Sequence, residues 1–203
     1  MRWLITGGIG AGKSAFAEEL AMTVGHEGIW LSCPPFPDRA SGYGPGPMEE
    51  RKGIRSVFPW TYSDADETLA NKLNAINLES NFFRADRRVI VVDGLSGWLR
   101  GLYRRVEPES PNADDRIDEE WQAVLAAILS FEGKVIVVTE EAASGLSMSP
   151  RDTEYAYRLA AANRALLDGS AILYRMTAGM ATEVKGYRLK RGLTGDENLY
   201  SNR

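Results

Sequence analysis

The stretch Gly7-Gly8-Ile9-Gly10-Ala11-Gly12-Lys13-Ser14 constrains the chain more than any other. It follows the apolar run Trp3-Leu4-Ile5-Thr6 and opens directly into an alanine- and glutamate-rich helical pattern. A loop of the form GxxxxGKS is thus set between a strand and a helix, the context in which it cradles a polyphosphate. The glycines let backbone N–H groups turn inward, and the helix beginning near Lys13 offers unpaired donors and the positive end of its dipole. Lys13 is expected to reach the β- and γ-phosphates of ATP or GTP, and Ser14 to place a hydroxyl where Mg2+ bridges them. The alternative is a glycine-rich turn that holds nothing; the strand-loop-helix setting favours the phosphate site.

A phosphate site of this kind needs an α/β sheet, and the rest of the chain supplies one. Phe16, Ala17, Leu20, Ala21 and Val24 fall at helical spacing, with Gly25 as terminator, and Ile29-Trp30-Leu31-Ser32 is a buried strand. From Cys33 to Val57, Pro34, Pro35, Pro37, Gly42, Gly44, Pro45, Gly46 and Pro47 break any regular pattern, which predicts a long substrate-side loop rather than a plain linker. Phe58 to Tyr62 is a short edge segment, and Asp64 or Asp66 caps a helix carrying Leu69, Leu73, Ile76 and Leu78.

Val89-Ile90-Val91-Val92-Asp93 is the second informative stretch: an apolar β-branched run that delivers one carboxylate to its C-terminal edge, where it holds Mg2+ directly or through water. Otherwise Asp93 merely caps the following helix, Leu95 to Tyr103. Pro108 to Asp115 is a polar loop, then Ile117, Trp121, Val124, Leu125 and Ile128 form an amphipathic helix. Lys134 to Thr139 is a further strand ending at Glu140 and Glu141, of which at least one is expected to be a solvated loop residue. A helix from about Thr153 to Leu167, a strand Ala171 to Tyr174 and a last one from Met180 to Val184 complete the pattern. Strands alternating with helices predict a single-domain P-loop NTPase with a mainly parallel sheet over 1–185, and 186–203 as a polar, basic extension.

The 203 residues carry a formal net charge of −4, with pI near 5.2, which excludes a general nucleic-acid binder while leaving a small anionic ligand allowed. One cysteine, Cys33, excludes an internal disulfide framework, and one histidine, His26, leaves no cluster for structural zinc. His26 itself is expected in a surface turn. No leader and no run of about eighteen apolar residues is seen, so a cytoplasmic protein without a membrane span is expected.

Three ordered segments resemble the cobinamide kinase/cobinamide-phosphate guanylyltransferases of cobalamin biosynthesis: LITGGIGAGKSAFAEELA from Leu4, VVDGLSGWLRGLY from Val91, and VVTEEAASG from Val137. Asn163 and Gly179 fit the same order. The resemblance implies a RecA-like fold, a homotrimer, and phosphorylation of the aminopropanol hydroxyl of adenosylcobinamide by ATP or GTP, followed by transfer of GMP to that phosphate. It places Gly7, Gly8, Ile9, Gly10, Ala11, Gly12, Lys13 and Ser14 on the phosphates and Asp93 on Mg2+, with Lys13 and Asp93 carrying catalysis. Ser32, Cys33 and Pro34 then stand at the nucleotide-contacting end of the second strand. Asp64, four residues past Trp60, occupies the place of a nucleotide-contacting glutamate.

One departure matters. In the family, a histidine between the second strand and the tryptophan becomes guanylylated, and this chain has none there; the equivalent region lies near Arg51 and Lys52. The kinase half is expected and the guanylyltransferase half is not. The base for the acceptor hydroxyl is left between Asp93 and Glu141, and the assisting arginine among Arg100, Arg104, Arg158 and Arg164. Two other functions fit the same motifs: a kinase for a different small acceptor, and a nucleotide-binding regulatory module that transfers nothing.

Overall fold

A computed structural model of the chain describes residues 1–34, 58–79, 86–141 and 149–184. The apolar runs form the strands β1 (Arg2–Gly7), β2 (Glu27–Ser32), β4 (Arg88–Asp93) and β5 (Lys134–Val138), and β3 (Trp60–Asp64), β6 (Ile172–Thr177) and β7 (Met180–Glu183) flank them. Between them run α1 (Lys13–Val24), α2 (Leu69–Glu79), α3 (Leu95–Arg105), α4 (Ala113–Leu129) and α5 (Pro150–Gly169). The sheet order is β3-β2-β4-β5-β1-β6-β7, with every pairing parallel except β6 with β7.

Strand alternation sorts the core into two layers. Trp3 and Ile5 pack with Trp30, Val89, Val91, Ile136 and Val138 against Ala17 and Ala21 of α1. Leu4, Ile90, Val92, Val135 and Val137 face the other way, onto Leu69 and Leu73 of α2, Trp98 and Leu102 of α3, Trp121 and Ile128 of α4, and Leu159 and Leu166 of α5. Each such side chain contributes about 2 kcal/mol by leaving water, which is why these runs contain almost no polar residue. Because β1 to β6 run in one direction, Gly7, Ser32, Asp64 and Asp93 all arrive at the same edge of the sheet.

The opposite edge is fastened by Arg2, whose guanidinium is buried. It donates to the carbonyls of Ile128 and Leu129 at the end of α4 and of Gly169 at the end of α5. One cation thereby satisfies the orphan carbonyls of two helix C-termini and sits at the negative ends of both dipoles.

The structure moves several boundaries. Leu78 is 87% exposed, not on the buried face of α2, because a helix that buries Leu69 and Leu73 turns position 78 outward. Helix α4 starts at Ala113, inside the segment expected to be loop, with Asp114 and Asp115 in its first turn where the helix dipole favours them. Helix α5 begins at Pro150, with Ser149 as N-cap accepting from the Asp152 N–H at 3.1 Å. Gly25 ends α1, but in an extended conformation; its lack of a side chain answers to Val89, whose Cγ1 lies 2.9 Å from where a Cβ would stand.

Asp66, not Asp64, shapes the entry to α2. It accepts from the Thr68 N–H at 2.9 Å and pairs with Lys72 at 2.8 Å. Hydrogen bonds from Lys72 and Thr68 pull its carboxyl down to about 2. A carboxyl lowered on folding stabilises above its unfolded value near 4 and loses that contribution as pH falls through this window toward 2. Asp66→Asn is expected to lower the thermal midpoint at pH 5, with the gap to the parent closing by pH 2. A gap that stays constant over that range would contradict the assignment.

Candidate active site

The loop between β1 and α1 owes its shape to glycine at two positions above all. Gly7, with φ +145°, passes Met176 so closely that a Cβ would stand 2.5 Å from its carbonyl oxygen. Gly12, with φ +88°, is the N-cap of α1 and provides no side-chain cap, so the first turn of the helix keeps its N–H donors directed at the loop. The β6–β7 hairpin braces this loop from outside. Its two-residue turn, Ala178-Gly179, has positive φ at both positions, as a tight hairpin requires, and the Gly179 N–H donates to the Ala11 carbonyl at 3.1 Å.

Lys13 is 7% exposed and folds back into the loop, its Nζ donating to the carbonyls of Gly8 at 2.7 Å and Gly7 at 3.1 Å. Burial lowers its ammonium pKa, while Glu140, Asp93 and Glu141 act in the opposite sense. At the next residue, Ser14 Oγ donates to Asp93 Oδ1 at 2.9 Å. That contact joins the first turn of α1 to the end of β4, although β5 lies between β1 and β4 in the sheet. Asp93 does not cap α3; Gly94 does, with φ +88°. A hydroxyl and a carboxylate in contact form a hard, all-oxygen pair of the kind Mg2+ accepts when phosphates and water complete its shell. Among the described residues no group of three histidine, cysteine, aspartate or glutamate side chains is placed to hold a metal alone.

With this loop, its lysine and the Ser14–Asp93 pair in place, the chain matches the family described as cobinamide kinase / cobinamide phosphate guanyltransferase over residues 3–184. The chain belongs to that family. No curated protein matches it. Membership makes it a transferase of cobalamin biosynthesis on the P-loop fold.

In this member of the cobinamide kinase/guanyltransferase family, the end of β5 brings further residues to the candidate site. Asn163 of α5 accepts from Thr139 Oγ1 at 3.1 Å and donates to the Glu140 carbonyl at 2.9 Å, fixing the turn where the strand ends. Glu140 extends Oε1 to 3.6 Å from Lys13 Nζ, and its Oε2 accepts from Ser96 Oγ at 2.8 Å. Ser96 is held in turn by the Tyr155 hydroxyl, which donates to its carbonyl at 3.1 Å; burial raises the phenol pKa and keeps that proton in place. Glu141 takes the more solvated position, accepting from Arg175 at 2.9 Å and Thr6 at 3.4 Å.

The structure gathers Gly7 to Ser14 and Asp93 at one point and sets the other predicted residues along the same edge. Ser32 pairs in register with Asp93 and Asp64, and the Cys33 N–H donates to the Asp93 carbonyl at 2.9 Å. Burial and the charge of Asp93 push the Cys33 thiol well above its usual range, which leaves it a poor nucleophile. Pro34 is exposed beside Gly101 of α3. Asp64 is exposed on β3, four positions along the sheet from β1, about 19 Å away, and two from β4, about 10 Å from Asp93. Arg51, Lys52, most of the Cys33 to Val57 segment and the extension after Lys185 lie outside the described residues.

Arg100 and Arg158 are engaged away from the loop, with Asp152 at 3.0 Å and Asp118 at 2.7 Å. Arg175, by contrast, pairs in register with Thr6 beside the loop. Sequence reasoning missed it because only the order of strands shows that β6 is β1's neighbour. It also missed Ser96, whose place three residues after Asp93 in an apolar helix was the available signal. A cleft of about 510 Å³ between the start of α4 and the start of α5, lined by Tyr103, Ala113 and Arg151, touches none of these residues.

Proposed function

We propose that this member of the family is a cobinamide kinase that transfers the γ-phosphoryl group of ATP or GTP to the aminopropanol hydroxyl of adenosylcobinamide and does not transfer GMP. One observation carries this reading: Lys13 and Ser14 of the phosphate loop meet Asp93 from the end of β4, whereas no histidine is available on the ligand side of the sheet. His26 lies before β2, exposed, and its backbone N–H bonds the Arg87 carbonyl at 2.7 Å where β4 begins. The six residues of β2 separate it from the ligand edge by about 20 Å.

Phosphoryl transfer depends chiefly on positioning and charge neutralisation. The loop N–H groups and the N-terminus of α1 receive the phosphate oxygens, and Lys13 adds the charge that the departing β-phosphate needs. Ser14 and Asp93 would hold Mg2+, whose chemistry when bound is to neutralise the β- and γ-oxygens. Guanylylation demands more: a nucleophile that attacks the α-phosphate and keeps the GMP. A lysine can form a phosphoramidate only after losing its proton, and Lys52 offers no sequence signal for that loss.

Cobinamide incubated with the protein, magnesium and ATP or GTP is expected to gain one phosphate. Intact-mass measurement after incubation with GTP is expected to show the unmodified chain; a stoichiometric GMP adduct would restore the second activity. Corrinoid binding, followed by its own absorbance, separates this reading from a kinase with a different acceptor.

A further inference from the structure

We propose that Glu140 accepts the proton of the acceptor hydroxyl during phosphoryl transfer, an assignment that rests on the kinase reading above. Among the described residues, four carboxylates stand at or just beyond the ligand ends of β3, β4 and β5, and three are placed for other work. Asp64 is about 19 Å along the sheet from β1, Asp93 accepts from Ser14, and Glu141 is exposed and engaged with Arg175 and Thr6. Of these four, Glu140 alone combines shelter, fixation and proximity. Its side chain is 15% exposed, Ser96 holds one oxygen and Asn163 holds its backbone carbonyl. Its strand lies between the one that carries the loop and the one that ends in Asp93.

The distance of Oε1 from Lys13 Nζ, 3.6 Å, is longer than a hydrogen bond and leaves that oxygen facing the place where Lys13 meets the phosphates. When a triphosphate engages Lys13, a carboxylate oxygen and a γ-phosphoryl oxygen therefore confront each other across a narrow gap. Two anions in a sheltered site repel strongly unless a proton donor lies between them. A hydroxyl group satisfies both: it donates its hydrogen to Oε1 and turns a lone pair toward phosphorus. In the transfer the acceptor oxygen forms a bond to the γ-phosphorus, and the bond from that phosphorus to the β,γ-bridging oxygen breaks. Its electron pair leaves with the nucleoside diphosphate, and the hydroxyl proton passes to Glu140. Sequence patterns left the base between Asp93 and Glu141; the contacts of Ser96 and Lys13 single out their neighbour.

The alternative is that Glu140 only balances Lys13 in the empty loop, in which case its removal changes nucleotide affinity and spares turnover. Glu140→Gln keeps the shape and removes the base. It is expected to lower turnover at saturating nucleotide by about 10²- to 10⁴-fold, the usual contribution of a positioned base, with the dissociation constant for magnesium-ATP or magnesium-GTP unchanged or lower. Glu140→Asp is expected to recover at least about tenfold of that loss. Turnover of Glu140→Gln within about threefold of the parent overturns the assignment, as does loss of nucleotide binding in parallel with turnover, or an aspartate variant no better than the glutamine one. Each assay is run with cobinamide and with water as the only acceptor. If the parent hydrolyses nucleotide but leaves cobinamide unmodified, and Glu140→Gln abolishes the hydrolysis, the cobinamide reading fails while Glu140 keeps its role. If the parent turns over neither, both fall.

Discussion

Lys13→Ala is expected to reduce phosphoryl transfer by at least about 10³-fold while leaving the fold intact. Removal of one preorganised donor from a developing charge costs about 10²- to 10³-fold in catalysis, and Lys13 contributes a full positive charge in a site that is largely sheltered from water. The fold survives because little of what Lys13 leaves behind is stranded: only the buried Gly7 carbonyl loses a donor without ready access to water. Gly8 is exposed, so its carbonyl finds water, and Glu140 keeps Ser96. A stability loss below about 2 kcal/mol is expected, the scale of one charged hydrogen bond. Turnover and thermal unfolding measured on the same preparation test both halves; a variant that keeps its activity would remove the basis for the mechanism, and one that does not fold would make Lys13 a structural residue first.

Arg2→Met is expected to produce the converse pattern, a large loss of stability with chemistry preserved. The methionine fills most of the volume but leaves the carbonyls of Ile128, Leu129 and Gly169 without their donor. Each unsatisfied buried acceptor costs about 1–3 kcal/mol, part of which water at the half-exposed positions returns, so a net loss of about 3 kcal/mol is expected. For a chain of this length that lowers the melting midpoint by about 6–12 °C. Since Arg2 stands at the edge opposite the phosphate loop, turnover well below the new midpoint should match the parent. Denaturant unfolding that places the loss under about 1 kcal/mol would show that the two helix ends need no shared cap.

How much of this was legible in the amino acids depends on the range of the interaction. The loop, the helix that follows it and the strand ending at Asp93 were readable because glycine, lysine and β-branched residues act through local conformation and periodicity. The helix boundaries drifted because Asn112 and Ser149 start helices several residues before the first large buried apolar side chains at Ile117 and Tyr155. Leu78 was misplaced because spacing alone does not say on which side of the stripe an apolar residue at the end of a helix falls. The contacts that give Glu140, Ser96 and Arg175 their places were out of reach for a different reason. Glu140 meets Ser96 across 44 positions and Arg175 meets Glu141 across 34, contacts that exist only once the strand order is known. Arg2 looked like an ordinary charge before an apolar strand, with nothing local to announce that two helices end on it.

The contact between Ser14 and Asp93 spans 79 positions of sequence and an intervening strand, so it depends on how low α1 rides over the sheet. That height is set by Ala17 and Ala21, both fully buried against β-branched neighbours such as Val89 and Val91. Any bulkier side chain at either alanine would act as a shim, tilting the helix and drawing the hydroxyl off the carboxylate without touching a single polar atom. The spacing of the Ser14–Asp93 pair, on which the proposed Mg2+ site depends, is thus calibrated by the thickness of two methyl groups a turn or two behind it.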